Sequence, residues 1–166
     1  MAAPLPESAK RVQEHLEARG SAAQVLELPA GTRTAVEAAQ AIGCSVSQIA
    51  KSIVFRAAQS GRPVLVVASG SHRVDEAVIA SLLGEPIQKA SPDFVRESTG
   101  FAIGGVPPVA HQRPPVTFLD AHLLSLSTIW AAAGTPTTVF ALTPEELVRL
   151  TGGRVASIVR GGTPAT

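Results

Sequence analysis

Apolar positions in this chain switch repeatedly between helical and extended spacing, and the switches fall at capping and turn residues. Within 8–19, Val12, His15 and Leu16 share one helical face, and Gly20 ends the run. Residues 24–28 alternate like a half-buried strand. Thr34-Ala-Val-Glu37 is a capping box that opens a helix over Ala35–Ile42, closed by Gly43. Ser45-Val-Ser-Gln48 is a second box, for a short helix through Ala50. Residues 53–55 and 64–68 are near-continuous apolar runs joined by a turn at 60–63, which predicts two strands buried on both faces. Asp75 caps a helix that reaches Leu83 and stops at Gly84, and 87–90 reads as a short strand. Ser91-Pro92-Asp93 supplies a cap, a first-turn proline and a first-turn acid for a helix ending at Gly100.

Beyond Gly100, the β-like run 101–103 enters a Gly104-Gly105-Val106-Pro107-Pro108 loop. Residues 116–119 predict a strand, 122–127 one or two helical turns, and 129–132 with 138–142 a hairpin around Gly134 and Pro136. Thr143-Pro-Glu-Glu146 is a third capping box, for a helix ending near Leu150. Residues 154–159 read as a last strand, and 161–166 as a loose tail. Strands and helices interleave irregularly, with no repeat and no Pro/Ser-rich linker. The prediction is one α/β (α+β) domain spanning 1–166 around a mixed sheet.

Composition narrows the class. The hydrophobic fraction is 45% and the charged fraction 16%, enough apolar surface for a packed core. With no Tyr and one Trp, that core is aliphatic. The net charge of +1 argues against a protein that coats a polyanion. Acids slightly outnumber bases before Lys51 and the reverse holds after it, which leaves room for a local basic face. One cysteine, Cys44, excludes an intrachain disulfide and a Cys-rich metal site. No signal pattern or membrane-length apolar run is present, so a cytoplasmic protein is expected.

Candidate chemistry is sparse. Glycine lets a backbone approach a ligand, and proline fixes φ and removes a donor. The Gly/Pro loop therefore offers a few N–H groups in set directions, suited to a carbonyl or phosphate, and equally reads as a rigid turn. Lys51, followed by the hydroxyl of Ser52, stands where the second capped turn meets the first apolar strand. It can present an ammonium beside a cleft or snorkel from a helix end. His111 follows the loop and could line the same cleft. His72 lies in a polar turn, Ser69-Gly-Ser-His-Arg73, that could meet phosphate or simply join strand to helix. His15 fits a helix face. Asp120 fits a cap for the turn at His122. Cys44 reads as a small buried hydrophobe. No metal spacing, P-loop or G-x-S-x-G motif occurs.

Several stretches resemble the YbaK/EbsC family of aminoacyl-tRNA editing domains, which are related to the editing domain inserted in bacterial prolyl-tRNA synthetases. They are Ile49-Ala-Lys-Ser-Ile-Val-Phe55, Arg62-Pro-Val-Leu-Val-Val67, Arg73-Val-Asp75, Ser98-Thr-Gly-Phe-Ala-Ile-Gly-Gly-Val-Pro-Pro108, Phe118-Leu-Asp-Ala121 and Ile129-Trp-Ala-Ala-Ala-Gly134. The likeness runs from about residue 7 to residue 160. It implies a mixed sheet curled into a partial barrel surrounded by helices, and hydrolysis in trans of the ester joining a wrong amino acid to the 3′ end of tRNA. The family's lysine falls on Lys51, which would hold the terminal nucleotide and its phosphate. Its G-x-x-x-P loop falls on Gly104 and Pro108, with Gly105, Val106 and Pro107 between, and would grip the aminoacyl carbonyl. Lys51 and Gly104 are thus the expected catalytic positions. Ser52, Gly105, Val106, Pro107, Pro108 and His111 are the expected substrate-binding ones. No cofactor, metal or protein nucleophile is implied, since catalysis leans on the substrate's own ribose hydroxyl and a water, or on a cysteine substrate's thiol. The implied partners are the aminoacylated 3′ end of tRNA and a synthetase such as prolyl-tRNA synthetase, with no membrane and no DNA. Many relatives carry Ser where this loop has Pro107 and Gly where it has Ala110. A non-catalytic tRNA- or synthetase-binding module and a small-molecule ester hydrolase are the alternative readings on the same fold.

Overall fold

The computed structural model describes residues 4–159, so the tail expected over 161–166 lies outside the described residues. Among the described residues are α1 (Glu7–Ala18), α2 (Ala35–Ile42), α3 (Glu76–Leu83), α4 (Pro92–Thr99) and α5 (Pro144–Thr151). The strands are β1 (Leu26–Glu27), β2 (Ile49–Ala57), β3 (Pro63–Ser69), β4 (Ile87–Lys89), β5 (Val116–Asp120), β6 (Ile129–Ala132), β7 (Thr138–Leu142) and β8 (Arg154–Ala156). They form one mixed sheet in the order β1-β7-β6-β2-β3-β5-β8, with β4 set against β2. The path is open, since β1 and β8 do not meet.

Central strand β3 explains the layering. All seven of its residues are buried, as its unbroken apolar run predicts. Leu65 and Val67 face one core, shared with Ala9, Val12 and Leu16 of α1, Val95 of α4, and Leu147 and Leu150 of α5. Val64, Val66 and Ala68 face the other, with Ile79 of α3, Phe55 and Phe118. The two-residue period of a strand assigns alternate residues to each layer.

Local chemistry sets the helix ends. Thr34 Oγ1 accepts from the Glu37 N–H at 3.1 Å while the Glu37 carboxylate accepts from the Thr34 N–H at 3.0 Å, the expected capping box. Asp75 and Ser91 cap α3 and α4 through N–H donors at 3.0 and 3.1 Å. The third box forms by half: Thr143 caps α5, but the Glu146 carboxylate turns to Ser21 and Arg149. The second box yields only a 3-10 turn, Val46–Gln48, because Ile49 and Ala50 are drawn into β2. The last strand divides, with β8 running parallel to β5 and Val159 bridging Val74. The run at 101–103 is a turn, in which Phe101 is buried and Ile103 exposed. Arg11 fixes that turn, donating to the Gly100 carbonyl at 2.7 Å and lying over the Phe101 ring.

Candidate functional site

Strand β2 departs from the expectation of burial on both faces, and the departure makes the site. Its edge toward β3 is paired from Ala50 to Arg56. On its other edge β6 pairs only at Ile49 and Ala50, and β4 only at Phe55–Ala57. Residues 51–54 therefore carry no strand on that side. Two cavities open along this gap. The first, about 200 Å³, is lined by Lys51, Ser52, Gly104 and Val106 together with Arg33, Thr34, Ala35 and Ala38 around the start of α2, Trp130 of β6, and Pro136, Thr138 and Val139. The second, about 220 Å³, is apolar and shares Ser52, Gly104 and Val106 with the first. Lys51 and Ser52 leave β2 on opposite faces, as neighbours in a strand must. Both residues line the first cavity, which lies where that edge of β2 is unpaired.

The Gly/Pro loop forms the wall opposite the gap. Gly104 holds φ +96°, a conformation that L side chains rarely adopt. Gly105 is fixed by contact: a Cβ there would stand 2.6 Å from the Thr135 Cα. Its N–H donates to the Ala102 carbonyl at 3.1 Å, and its carbonyl accepts from the Gly134 N–H at 2.9 Å. The Gly105 main chain is thus occupied. The N–H groups of Gly104 and Val106 meet no acceptor among the described residues. The expectation of a few directed donors narrows to these two. Pro107, Pro108 and Val109 are buried beneath them.

Lys51 does not snorkel. Its Nζ donates to the His72 carbonyl at 2.7 Å. Burial pushes its pKa below the usual lysine value, the Asp120 carboxylate pulls it back up, and Arg73 pushes it down. Ser52 Oγ is buried in the shared wall and has no hydrogen-bond partner among the described residues. An unpaired buried hydroxyl costs about 1–3 kcal/mol, which marks a position where a ligand would repay the deficit.

Of the residues expected at the site, Lys51, Ser52, Gly104 and Val106 converge on one cavity. Gly105, Pro107, Pro108 and His111 line neither cavity and build the loop instead. The His111 Nε2–H donates to the Pro107 carbonyl at 2.7 Å, and its Nδ1 is buried and unpartnered. Burial lowers the His111 pKa, against a raising influence of that hydrogen bond. Cys44 is half-buried, and burial pushes its thiol up, the reverse of an activated nucleophile. Arg33, Thr34 and Trp130 were missed. Local patterns show Thr34 only as a cap, and nothing in them places α2 or β6 beside Lys51. Asp120 is the cap that the sequence predicts, accepting from the His122 N–H at 3.0 Å. Its other oxygen also accepts from the Ser69 N–H at 3.0 Å and from His72 Nδ1–H at 2.7 Å. Among the described residues no group of three or more His, Cys, Asp or Glu is placed to hold a metal ion, and no helix is long and apolar enough to cross a membrane.

Fold and cleft together define a mixed-sheet α/β domain whose opened strand edge holds a cavity lined by a lysine and by two residues, Gly104 and Val106, whose main-chain N–H groups meet no acceptor among the described residues. A family model described as "Aminoacyl-tRNA editing domain" matches residues 29–150, and the chain belongs to that family. A solved structure described as "a putative trans-editing enzyme for prolyl tRNA synthetase" is 50% identical, with a TM-score of 0.91, over 95% of this chain and 100% of that one. "Uncharacterized protein YwhH" of Bacillus subtilis (strain 168) is 33% identical over 148 residues, 89% of this chain and 94% of that protein. The "Putative Cys-tRNA(Pro)/Cys-tRNA(Cys) deacylase EbsC" of Enterococcus faecalis is 26% identical over 126 residues, 75% of this chain and 76% of that protein. These findings agree with the resemblance read from the sequence and with the mixed-sheet fold it implied.

Proposed function

We propose that this protein is an aminoacyl-tRNA deacylase, acting in trans in the cytoplasm on the ester between a wrong amino acid and the 3′ end of tRNAPro or a related tRNA. One observation carries the reading. Lys51, Ser52, Gly104 and Val106 line a single cavity, and among the described residues the Ser52 hydroxyl and the N–H groups of Gly104 and Val106 have no hydrogen-bond partner. The likeness to a structure described as a trans-editing enzyme, spanning all of that chain, supports action as a separate domain.

The chemistry asks little of side chains. An ester is already activated, and water attacking its carbonyl carbon places negative charge on the carbonyl oxygen. Two fixed N–H donors on a glycine loop suit that charge, and donors aimed this way contribute about 2.7–4 kcal/mol each where they have been removed one at a time. Lys51 supplies a cation for the terminal phosphate, with Arg33 as a second cation lining the same cavity. Ser52 can bond the terminal ribose or a water. The substrate's vicinal ribose hydroxyl serves as the local acid or base, so no triad is required.

A panel of tRNAs carrying alanine, cysteine, serine and a small non-protein amino acid tests this directly. At least one ester should be hydrolysed well above its spontaneous rate, and Lys51→Met should slow that reaction about tenfold or more, the scale of a lost charge-assisted contact. Gly104→Ala should also slow it strongly, by moving the donor wall. Survival of every ester at micromolar protein overturns the proposal.

A further inference from the structure

We propose that Asp120 and His72 are positioning residues for Lys51: the Asp120 carboxylate pins the turn after β3, so that the His72 carbonyl fixes the Lys51 ammonium at the cleft. This rests on the deacylase reading for its catalytic consequence, but not for its structural content. A lysine stem carries about 2 kcal/mol of rotamer entropy and a compact, movable charge. Here the ammonium is held by one acceptor at 2.7 Å, and that acceptor belongs to a turn rather than to a strand or helix. A turn carbonyl is a fixed reference only if the turn is itself held.

Asp120 holds it. The carboxylate is 2% exposed at the end of β5 and accepts three N–H groups. Ser69 N–H, at the last residue of β3, and His72 Nδ1–H, three residues on, both reach one oxygen. The His122 N–H reaches the other. Both ends of the Ser69–His72 segment therefore converge on one buried charge. Gly70, between them, packs so closely on the Val46 carbonyl that a side chain would have no room. The His122 ring stands 4.7 Å from that of His72, tilted against it. Helix capping alone would be met by an exposed aspartate. Burying the charge is costly unless it is hydrogen-bonded, and the three donors fill most of its roughly four acceptor sites. The charge also acts on Lys51 through space, favouring its protonated form against the burial and Arg73 that oppose it.

Two measurements test the assignment. In the first, Asp120→Asn and His72→Ala are made in the native chain and in a Lys51→Met background, and deacylation of the best ester from the panel is followed. His72→Ala keeps the backbone carbonyl and removes a partly exposed ring, so it guards against misfolding of Asp120→Asn. Each should lower kcat/KM about tenfold in the native chain and cause no further loss where Lys51 is absent, the non-additivity expected of residues acting through one group. Equal losses in both backgrounds, or none in the native chain, overturn the proposal. In the second, the lysines are reductively methylated with 13C, which leaves each protonated amine one N–H, and their NMR signals are titrated. Lys10 and Lys89 are internal controls. In Asp120→Asn the Lys51 signal should move and titrate at lower pH while the other two stay fixed. An unmoved Lys51 signal in the folded variant overturns the proposal. This second measurement needs no substrate, so it decides the positioning role even where the panel shows no hydrolysis and the deacylase reading fails.

Discussion

Ser52 separates function from stability within one residue. Its Oγ is buried, lies on the wall shared by both cavities, and bonds nothing among the described residues. In the free protein that hydroxyl is a deficit, because burying it cost its hydration and returned no bond. Ser52→Ala should therefore raise stability, by up to about 1 kcal/mol, or roughly 2–4 °C in the unfolding midpoint for a chain of this size. The same change should lower deacylation, since a hydroxyl that bonds substrate would be gone. Thermal unfolding and the charged-tRNA assay on one preparation check both signs. A variant that is less stable and fully active would show that the hydroxyl serves the fold. Ala110 shows the same separation from the opposite side. It holds φ +67° without being glycine, so this loop carries conformational strain at a position where glycine would relieve it.

At the scale of elements, the cleft is held open by a contact between a loop and a hairpin. The turn between β6 and β7 lies against Gly105, with the Gly134 N–H on its carbonyl and the Thr135 backbone where a Cβ would go. Gly105→Ala must push the hairpin and the loop apart. Overpacking of this kind costs about 1–3 kcal/mol, and here it also shifts the Gly104 and Val106 donors relative to Lys51. The variant should unfold at lower temperature and lose deacylation by more than its folded fraction explains. Circular dichroism melting beside the esterase rate would show this, and unchanged activity in a destabilised variant would remove the loop from the oxyanion role. The helices α2, α3 and α4 were legible because each is delimited within a few residues by a cap and a glycine. Strand β3 was legible because burial on both faces leaves an unbroken apolar run. The gap in the β2 edge was not, since it depends on where β6 and β4 stop pairing, and both strands lie far along the chain. Lys51, Ser52 and the Gly/Pro loop could be singled out as residue types, whereas the neighbours Arg33 and Trp130 reach the cavity only through that packing. Asp120 was legible as a cap because capping is local, while its bonds to Ser69 and His72 span some fifty residues.

For the whole molecule, two histidines near the loop and α1 link stability to pH. His111 is buried within the loop, and its pKa is lowered first by burial, with an added lowering by His15. The His15 pKa is also lowered, by burial and then by Arg19. Each binds its proton less readily in the folded chain than in the unfolded one. The unfolded state therefore holds more protons wherever the pH lies between the two sets of pKa values, and stability rises with pH across that interval. It is complete above the ordinary histidine value of about 6.5 and is lost as pH falls through the depressed folded values. Glu37 and Glu85 are also lowered, chiefly by backbone hydrogen bonds, but their window begins at the ordinary carboxylate value of 4.5 and lies below that of the histidines. The unfolding midpoint should therefore fall as buffer pH is taken from about 7.5 to about 5, before the carboxylates contribute. His111→Gln keeps an N–H for the Pro107 carbonyl and removes the titration, so its midpoint should vary less with pH, and His15→Gln should flatten it further. A full native slope in the double variant would place the acid sensitivity elsewhere. A slope already flattened by His111→Gln alone would place the larger share of the acid sensitivity at the histidine of the Gly/Pro loop rather than at α1.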